Sequence, residues 1–279
     1  MDTMDNYKIE YPTLDLLKEN SVCIDCLSNH LDEAMKILGD KAFDKGDYNL
    51  GNCFAGFKNN KLTKYGVDIP VKITKEGNDK TLFFVGESVL REKNDYNRDI
   101  HSDHKILIGT PFAVVGTNDN PKSCNVYKEI FCRFLELGYN IYITDFIKLW
   151  RDDKSCLNDI NLRKSSKELL RKEIEDVNPT HIIPFGKEAR DVIVDILRND
   201  NIIKLHHPSN NAKVHWKIEM YEELIESLIK NDSKDYSALI GFGIFNRVGD
   251  RKDRNVLNED VVNFAVKKIN IWISEHPQK

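Results

Sequence analysis

The sequence predicts an α/β fold, namely a three-layer α/β/α sandwich around a central, mostly parallel four-stranded sheet. Short apolar runs bounded by turn residues are typical of strands buried on both faces. Four such runs occur, at residues 81–85, 140–147, 181–184 and 202–205. Segments with helical spacing of apolar residues follow them, at residues 125–137, 162–177, 187–198 and 214–230. This alternation of strands and helices favours a parallel sheet covered by helices on both faces.

The chain of 279 residues is long enough for one large domain or two small ones. We expect the α/β core at residues 80–230, an N-terminal segment packing on it at 1–79, and a C-terminal extension at 231–279. Within the first segment, residues 67–73 are a candidate strand, and Pro70 predicts at best an edge position for it. A helix is predicted at 260–273.

Composition limits the function classes. The net charge of −4 gives no global attraction to nucleic acid, although a local basic patch is compatible with it. No apolar run reaches the length of a membrane span, and the polar, acidic N-terminus differs from a secretory signal. We therefore expect a cytoplasmic protein, in which six cysteines are reduced thiols or metal ligands rather than disulfides.

Polar residues stand at the ends of most of the predicted strands. Glu87 and Asp145 end the first two strands, and His206 and His207 follow the fourth. The carboxyl ends of parallel strands meet at one edge, where ligands bind in open α/β sheets. Each residue alone is compatible with an ordinary loop position. Because they recur at most strand ends, they predict an active site at this edge.

Five blocks carry a resemblance to a known superfamily. In chain order they read FFVGES, GTPFAVV, YITDFIKLW, NPTHIIPFGKEA and LHHPS. Their order and spacing resemble the uracil-DNA glycosylase superfamily, and most of all its iron–sulfur family, called family 4. The segment CIDCL also resembles that family's leading Cys-x-x-Cys. The resemblance covers roughly residues 14–30 and 80–225.

The resemblance implies a DNA glycosylase that cleaves the N-glycosidic bond of a flipped, modified base, either uracil-like or deaminated. It places Glu87 among the groups that activate water and stabilise the sugar cation. It places Phe112 where a ring stacks on the base, and Asp145 where the base edge is recognised. It places His207 opposite the base O2. These residue types suit a reaction that produces a sugar cation and an anionic base.

The resemblance also implies DNA contacts from the residues that follow His207. Members of the superfamily insert a wedge into the duplex at this point of the chain. Ser209, Asn210 and Lys213 are therefore the predicted DNA-contacting residues, and DNA, single- or double-stranded, is the predicted partner. Their polar character makes a weak wedge.

Two departures from the family pattern affect substrate recognition. Asp145 stands where the family has Asn, and an ionised carboxylate only accepts hydrogen bonds. It suits a base edge that carries donors, unless burial keeps the carboxyl group protonated. Val89 and Leu90 replace a Pro and a Gly in the first motif, which removes a glycine suited to close backbone approach.

The metal question stays open at this point. Cys23 and Cys26 match two of the four thiolates that an iron–sulfur cluster requires, and the other two are missing. With His30 and Cys53 they are also a candidate zinc site, although the spacing is not a recognised one. Plain reduced thiols are the third option.

Two other functions remain open on the sequence. One is a protein of the same fold that binds nucleic acid or a nucleotide-like ligand without cleaving it. The other is an unrelated α/β protein with a small-molecule pocket at the same strand ends.

Overall fold

A computed structural model of the chain describes residues 7–10, 65–88, 106–113, 121–151, 158, 160–208, 215–216, 218–220, 222–223, 226 and 251–277. The strands are β1 (Tyr7–Glu10), β2 (Tyr65–Asp68), β3 (Val71–Lys75), β4 (Lys80–Ser88), β5 (Ile106–Gly109), β6 (Tyr139–Ile147), β7 (Leu149–Arg151) and β8 (His181–Pro184). The helices are α1 (Pro121–Glu136), α2 (Ile160–Val177), α3 (Lys187–Leu197) and α4 (Arg251–Glu275), and Pro111–Ala113 form a 3₁₀ turn.

The main sheet has five strands in the order β1-β3-β6-β4-β8. Its centre is parallel, because β4 pairs in parallel with both β6 and β8. The other two pairings, β6 with β3 and β3 with β1, are antiparallel. The mixed α/β class and the three parallel strands at 81–85, 140–147 and 181–184 are thereby confirmed. The sheet is less parallel than predicted.

The predicted fourth strand at 202–205 is wrong within the described structure, since residues 201–208 belong to neither sheet. Ile202, Ile203 and Leu205 are nevertheless buried, and the carbonyl of Leu205 accepts a hydrogen bond from the amide of Gly186 at 3.0 Å. The apolar run therefore correctly indicated burial. The segment is buried beside β8 without pairing as a strand.

The candidate strand at 67–73 is divided at Pro70 between two sheets. The residues before Pro70 belong to β2, which lies between β5 and β7 in a separate three-stranded sheet. The residues after it belong to β3, which pairs on both sides and is not an edge strand. Proline cannot donate to a ladder, so it marks the boundary between the two strands.

Alternating side chains of the sheet enter two hydrophobic cores. Phe84 and Ile143 pack with α1 and α4 on one face, whereas Phe83 and Tyr142 pack with α2 and α3 on the other. The period of two along each strand accounts for this division. Helices therefore cover both faces of the sheet, as the sequence predicts.

The C-terminal helix α4 contributes directly to the core on the α1 face. Val261, Val262, Ala265 and Ile269 are buried in the same cluster as Phe84. The predicted extension at 231–279 thus supplies core residues rather than only an appended segment. No helix in the described part of the chain is long and apolar enough to cross a membrane.

Candidate functional site

Gly86 brings a carboxylate and an aromatic ring together at the carboxyl end of the parallel strands. It pairs with Asp145 across β4 and β6, and Asp145 is only 3% exposed. A Cβ atom on residue 86 would lie 2.2 Å from Oδ1 of Asp145 and 2.8 Å from Cζ of Phe112. Only glycine leaves room for this approach. The side chains of Asp145 and Phe112 consequently meet at one point of the sheet edge.

Phe112 is held at this point by its backbone and by two other rings. Its φ of 57° lies in the left-handed region, which a bulky residue adopts at a cost on the order of 1 kcal/mol. The ring stacks on Tyr127 of α1, with centroids 4.5 Å apart, and meets Phe185 edge to face at 5.7 Å. Phe112 as a whole residue is partly exposed.

His207 completes the arrangement from the segment at residues 201–208, which follows α3. Its ring centroid lies 5.8 Å from that of Phe112, and its Nδ1 lies 2.5 Å from the hydroxyl oxygen of Tyr127. Burial lowers the pKa of His207 to about 4, so the imidazole is neutral at pH 7. A neutral imidazole offers one donor and one acceptor. Phe112, Tyr127, Asp145 and His207 are called the aromatic site below.

Glu87 lies at the same edge but on the other face. Alternation along β4 aligns it with Phe83 and Val85, which pack towards α2 and α3. Desolvation raises its pKa, Glu188 raises it further by repulsion, and Arg163 partly opposes this. The structure therefore brings Phe112, Asp145 and His207 together and leaves Glu87 beside α2 and α3.

The second histidine points to different partners. His206 lies with Nε2 3.0 Å from Oε1 of Glu219, and its ring stacks on His215 with centroids 4.9 Å apart. Lys268 of α4 also contacts Glu219, at 2.7 Å. His206 therefore helps to join this segment to the helices rather than to the aromatic site.

Sequence reasoning missed Tyr127. Its segment was predicted only as an amphipathic helix, and a hydroxyl bonded to a histidine 80 residues away leaves no local pattern. One signal was present, because Tyr127 shares a helix face with Ile130, Phe131 and Phe134, all of which are buried. A tyrosine in a buried apolar stripe usually needs a partner for its hydroxyl.

A second polar group, also missed, lies behind β6 on the α2 face. Nζ of Lys148 lies 2.6 Å from Oε2 of Glu173, and both side chains are at most 2% exposed. The hydroxyls of Tyr142 and Thr144 donate to Glu173 at 2.9 and 3.3 Å. Lys148 also donates to the backbone carbonyl of Asp145 at 2.8 Å. Tyr142, Thr144, Lys148 and Glu173 are called the ion-pair cluster below.

Several predicted residues lie outside the described part of the chain. These are the DNA-contacting candidates Ser209, Asn210 and Lys213 and the metal-binding candidates Cys23 and Cys26. Among the described residues, no group of three or more His, Cys, Asp or Glu is placed to hold a metal ion. Cys132 of α1 is a thiol whose pKa is raised to about 11, mainly by burial.

A comparison of the chain with protein-family models, with curated proteins and with solved structures found no match.

Proposed function

We propose that this protein is a DNA N-glycosylase that cleaves the glycosidic bond of a flipped, modified base at the aromatic site. One observation carries the proposal. Phe112, Asp145 and His207, three of the residues that the resemblance to uracil-DNA glycosylases singles out, converge at the carboxyl end of the parallel strands. Open α/β sheets bind ligands at this edge.

The chemistry of the three groups suits base excision. A base taken out of the stack needs an aromatic face, and in this proposal Phe112, a partly exposed residue, supplies it. The base departs with negative charge on its carbonyl oxygen. A neutral His207 stabilises this charge by donating a hydrogen bond, without a cation in the resting site.

Asp145 sets the expected base class. Its carboxylate accepts hydrogen bonds from an exocyclic amino group and repels a carbonyl oxygen such as uracil O4. A protonated Asp145 has the opposite preference for O4, because it donates. The preference between amino-bearing and carbonyl-bearing bases therefore reports the protonation state of Asp145 during binding.

Glu87 supports a second candidate, which is binding without cleavage. A glycosylase needs a carboxylate near the sugar cation. The electrostatic neighbours of Glu87 are Arg163 and Glu188, on the face opposite Asp145. If Glu87 does not reach the sugar, the aromatic site holds a base or nucleotide-like ligand without breaking its glycosidic bond.

A single-turnover cleavage assay tests the proposal. Single- and double-stranded oligonucleotides carry uracil, hypoxanthine, xanthine, cytosine or 5-modified cytosines, and alkali reveals abasic sites. We expect cleavage of at least one base, with a loss of roughly 100-fold or more in His207→Ala, since removing one hydrogen-bond donor to a developing anion costs about that much. Glu87→Gln measures whether the second carboxylate takes part.

His206→Ala is the matched control, because it removes the adjacent imidazole that pairs with Glu219 instead. It should cleave at close to the wild-type rate. Equal cleavage by wild type and His207→Ala would contradict the proposal. DNA affinity that depends on salt, without abasic sites, would favour the binding protein.

A further inference from the structure

The segment at residues 201–208, which carries His207, is held by hydrogen bonds to individual carbonyl groups. The amide of Gly186 donates to the carbonyl of Leu205 at 3.0 Å. Two residues further on, the indole Nε1–H of Trp216 donates to the carbonyl of His207 at 3.3 Å. The segment lies outside both sheets of the described structure, so no strand ladder fixes it. The place of the His207 backbone therefore depends on contacts of this kind.

Trp216 is itself fixed by the C-terminal helix α4. Its side chain is fully buried and belongs to the same core cluster as the buried residues of α4. Its ring meets Phe264 of α4 edge to face, with centroids 6.1 Å apart, and meets His206 in the same way at 6.0 Å. A buried tryptophan usually needs a partner for its indole N–H, and the carbonyl of His207 is that partner. Packing on α4 thus directs the indole donor at the His207 backbone.

We infer that Trp216 is a positioning residue that holds the backbone of His207, so that α4 supports the aromatic site through it. Pro208 has no amide N–H, so the next residue offers no backbone donor with which to anchor the chain. The resemblance to the glycosylases ends near residue 225, and it therefore does not predict a dependence on α4. The positioning role depends only on the contacts of Trp216. Its catalytic consequence rests on the proposed function, in which a displaced imidazole stabilises the departing base less well.

NMR of the full-length, ¹³C-histidine-labelled protein between pH 8 and pH 5 tests the inference. The His207 resonance is assigned by its loss in His207→Gln. Its pKa of about 4 keeps the wild-type imidazole neutral through most of this range. Site-specific replacement of Trp216 by β-(benzothien-3-yl)alanine keeps the bicyclic shape and removes the N–H donor. We expect the His207 pKa to rise towards its usual value of 6.5, because a less firmly held imidazole gains solvent. Trp216→Phe, which also loses packing area, should raise it further.

Trp272→Phe is the matched control. Trp272 also belongs to α4 and packs on the same core, but it meets His181 at the start of β8, with centroids 5.4 Å apart. The variant should leave the His207 titration unchanged. An equal rise in Trp272→Phe would overturn the inference, and so would an unchanged titration in the folded protein that carries the analogue. Should the Trp216 variants not fold, the wild type still decides, since rapid solvent exchange of the Trp216 indole proton would exclude the hydrogen bond.

Activity gives a second readout. If wild type cleaves, the analogue at Trp216 should lower the single-turnover rate by up to about 100-fold, the loss that a displacement of about 1 Å causes. DNA affinity should change little, as expected for a group that acts through another residue. If wild type cleaves nothing while the NMR result holds, the proposed function fails and the positioning role stands. If wild type cleaves while the His207 titration ignores Trp216, the positioning role fails alone.

Discussion

The two faces of β6 carry two buried polar groups with different designs. On the α2 face, the ion-pair cluster joins a lysine and a glutamate at 2.6 Å and adds two hydroxyl donors to the glutamate. On the α1 face, the aromatic site places a carboxylate, a neutral imidazole and a phenol around the ring of Phe112. Adjacent residues of one strand, Thr144 and Asp145, contribute to opposite groups.

The ion-pair cluster and the aromatic site therefore differ in how their polar groups are satisfied. A buried charge is costly unless it is paired and hydrogen-bonded, and the ion-pair cluster meets both requirements internally. Lys148 of this cluster also donates a hydrogen bond to the backbone carbonyl of Asp145. The cluster therefore helps to hold the end of β6 in place. The aromatic site instead places its polar groups beside a ring surface suited to a planar ligand.

The largest expected effect comes from breaking the ion-pair cluster. Lys148→Met leaves Glu173 as an uncompensated buried charge, which costs about 3–5 kcal/mol of unfolding free energy. Urea denaturation at pH 7 measures it. The double variant Lys148→Met, Glu173→Leu removes both charges and should recover most of the loss. A Lys148→Met protein as stable as wild type would contradict the role assigned to this cluster.

A smaller effect is expected from acidification of the aromatic site. The folded-state pKa of His207 is about 4, below the usual 6.5, so the unfolded chain takes up this proton first as pH falls. The stabilising contribution is therefore complete above pH 6.5 and is lost between pH 6.5 and 4. At pH 5 the loss is about 2 kcal/mol.

Comparison with His207→Gln isolates this term from the carboxylates and other histidines. The stability difference between wild type and the variant should shrink by about 2 kcal/mol from pH 7 to pH 5, as measured by urea denaturation. A difference that stays constant with pH would mean that His207 titrates normally. It would also remove the argument for a neutral donor in the aromatic site.

The three parallel strands at the centre of the main sheet were predictable from the sequence. The two antiparallel strands on one side of it were harder to predict. The strands at 81–85, 140–147 and 181–184 are largely apolar runs that fit a sheet covered on both faces. β1 lies in a polar segment for which no strand was predicted, and β3 was predicted only in part, within the candidate strand at 67–73. Only pairing with β6 and with each other identifies them as strands of the main sheet.

The residues of the aromatic site and of the ion-pair cluster also differ in how far the sequence predicts them. The resemblance named Phe112, Asp145 and His207 from blocks in a recognisable order, and the structure places these three residues near one another. Lys148 and Glu173 are 25 residues apart on a strand end and a helix, and nothing local shows that they meet. The face of Glu87 was available from the period of two along β4. Its neighbours Arg163 and Glu188 required the folded chain.

In the proposed function, a base binds against Phe112 with its edge at Asp145. A crystal structure with an oligonucleotide carrying a 2′-fluoroarabino nucleotide tests it most directly, because the electron-withdrawing fluorine destabilises the sugar cation and preserves the glycosidic bond. Cytosine and uracil versions are compared. We expect a flipped base stacked on Phe112, with its carbonyl oxygen at the imidazole of His207 and its opposite edge at Asp145. A base that remains in the duplex, or that lies on the α2 and α3 face beside Glu87, would contradict the account.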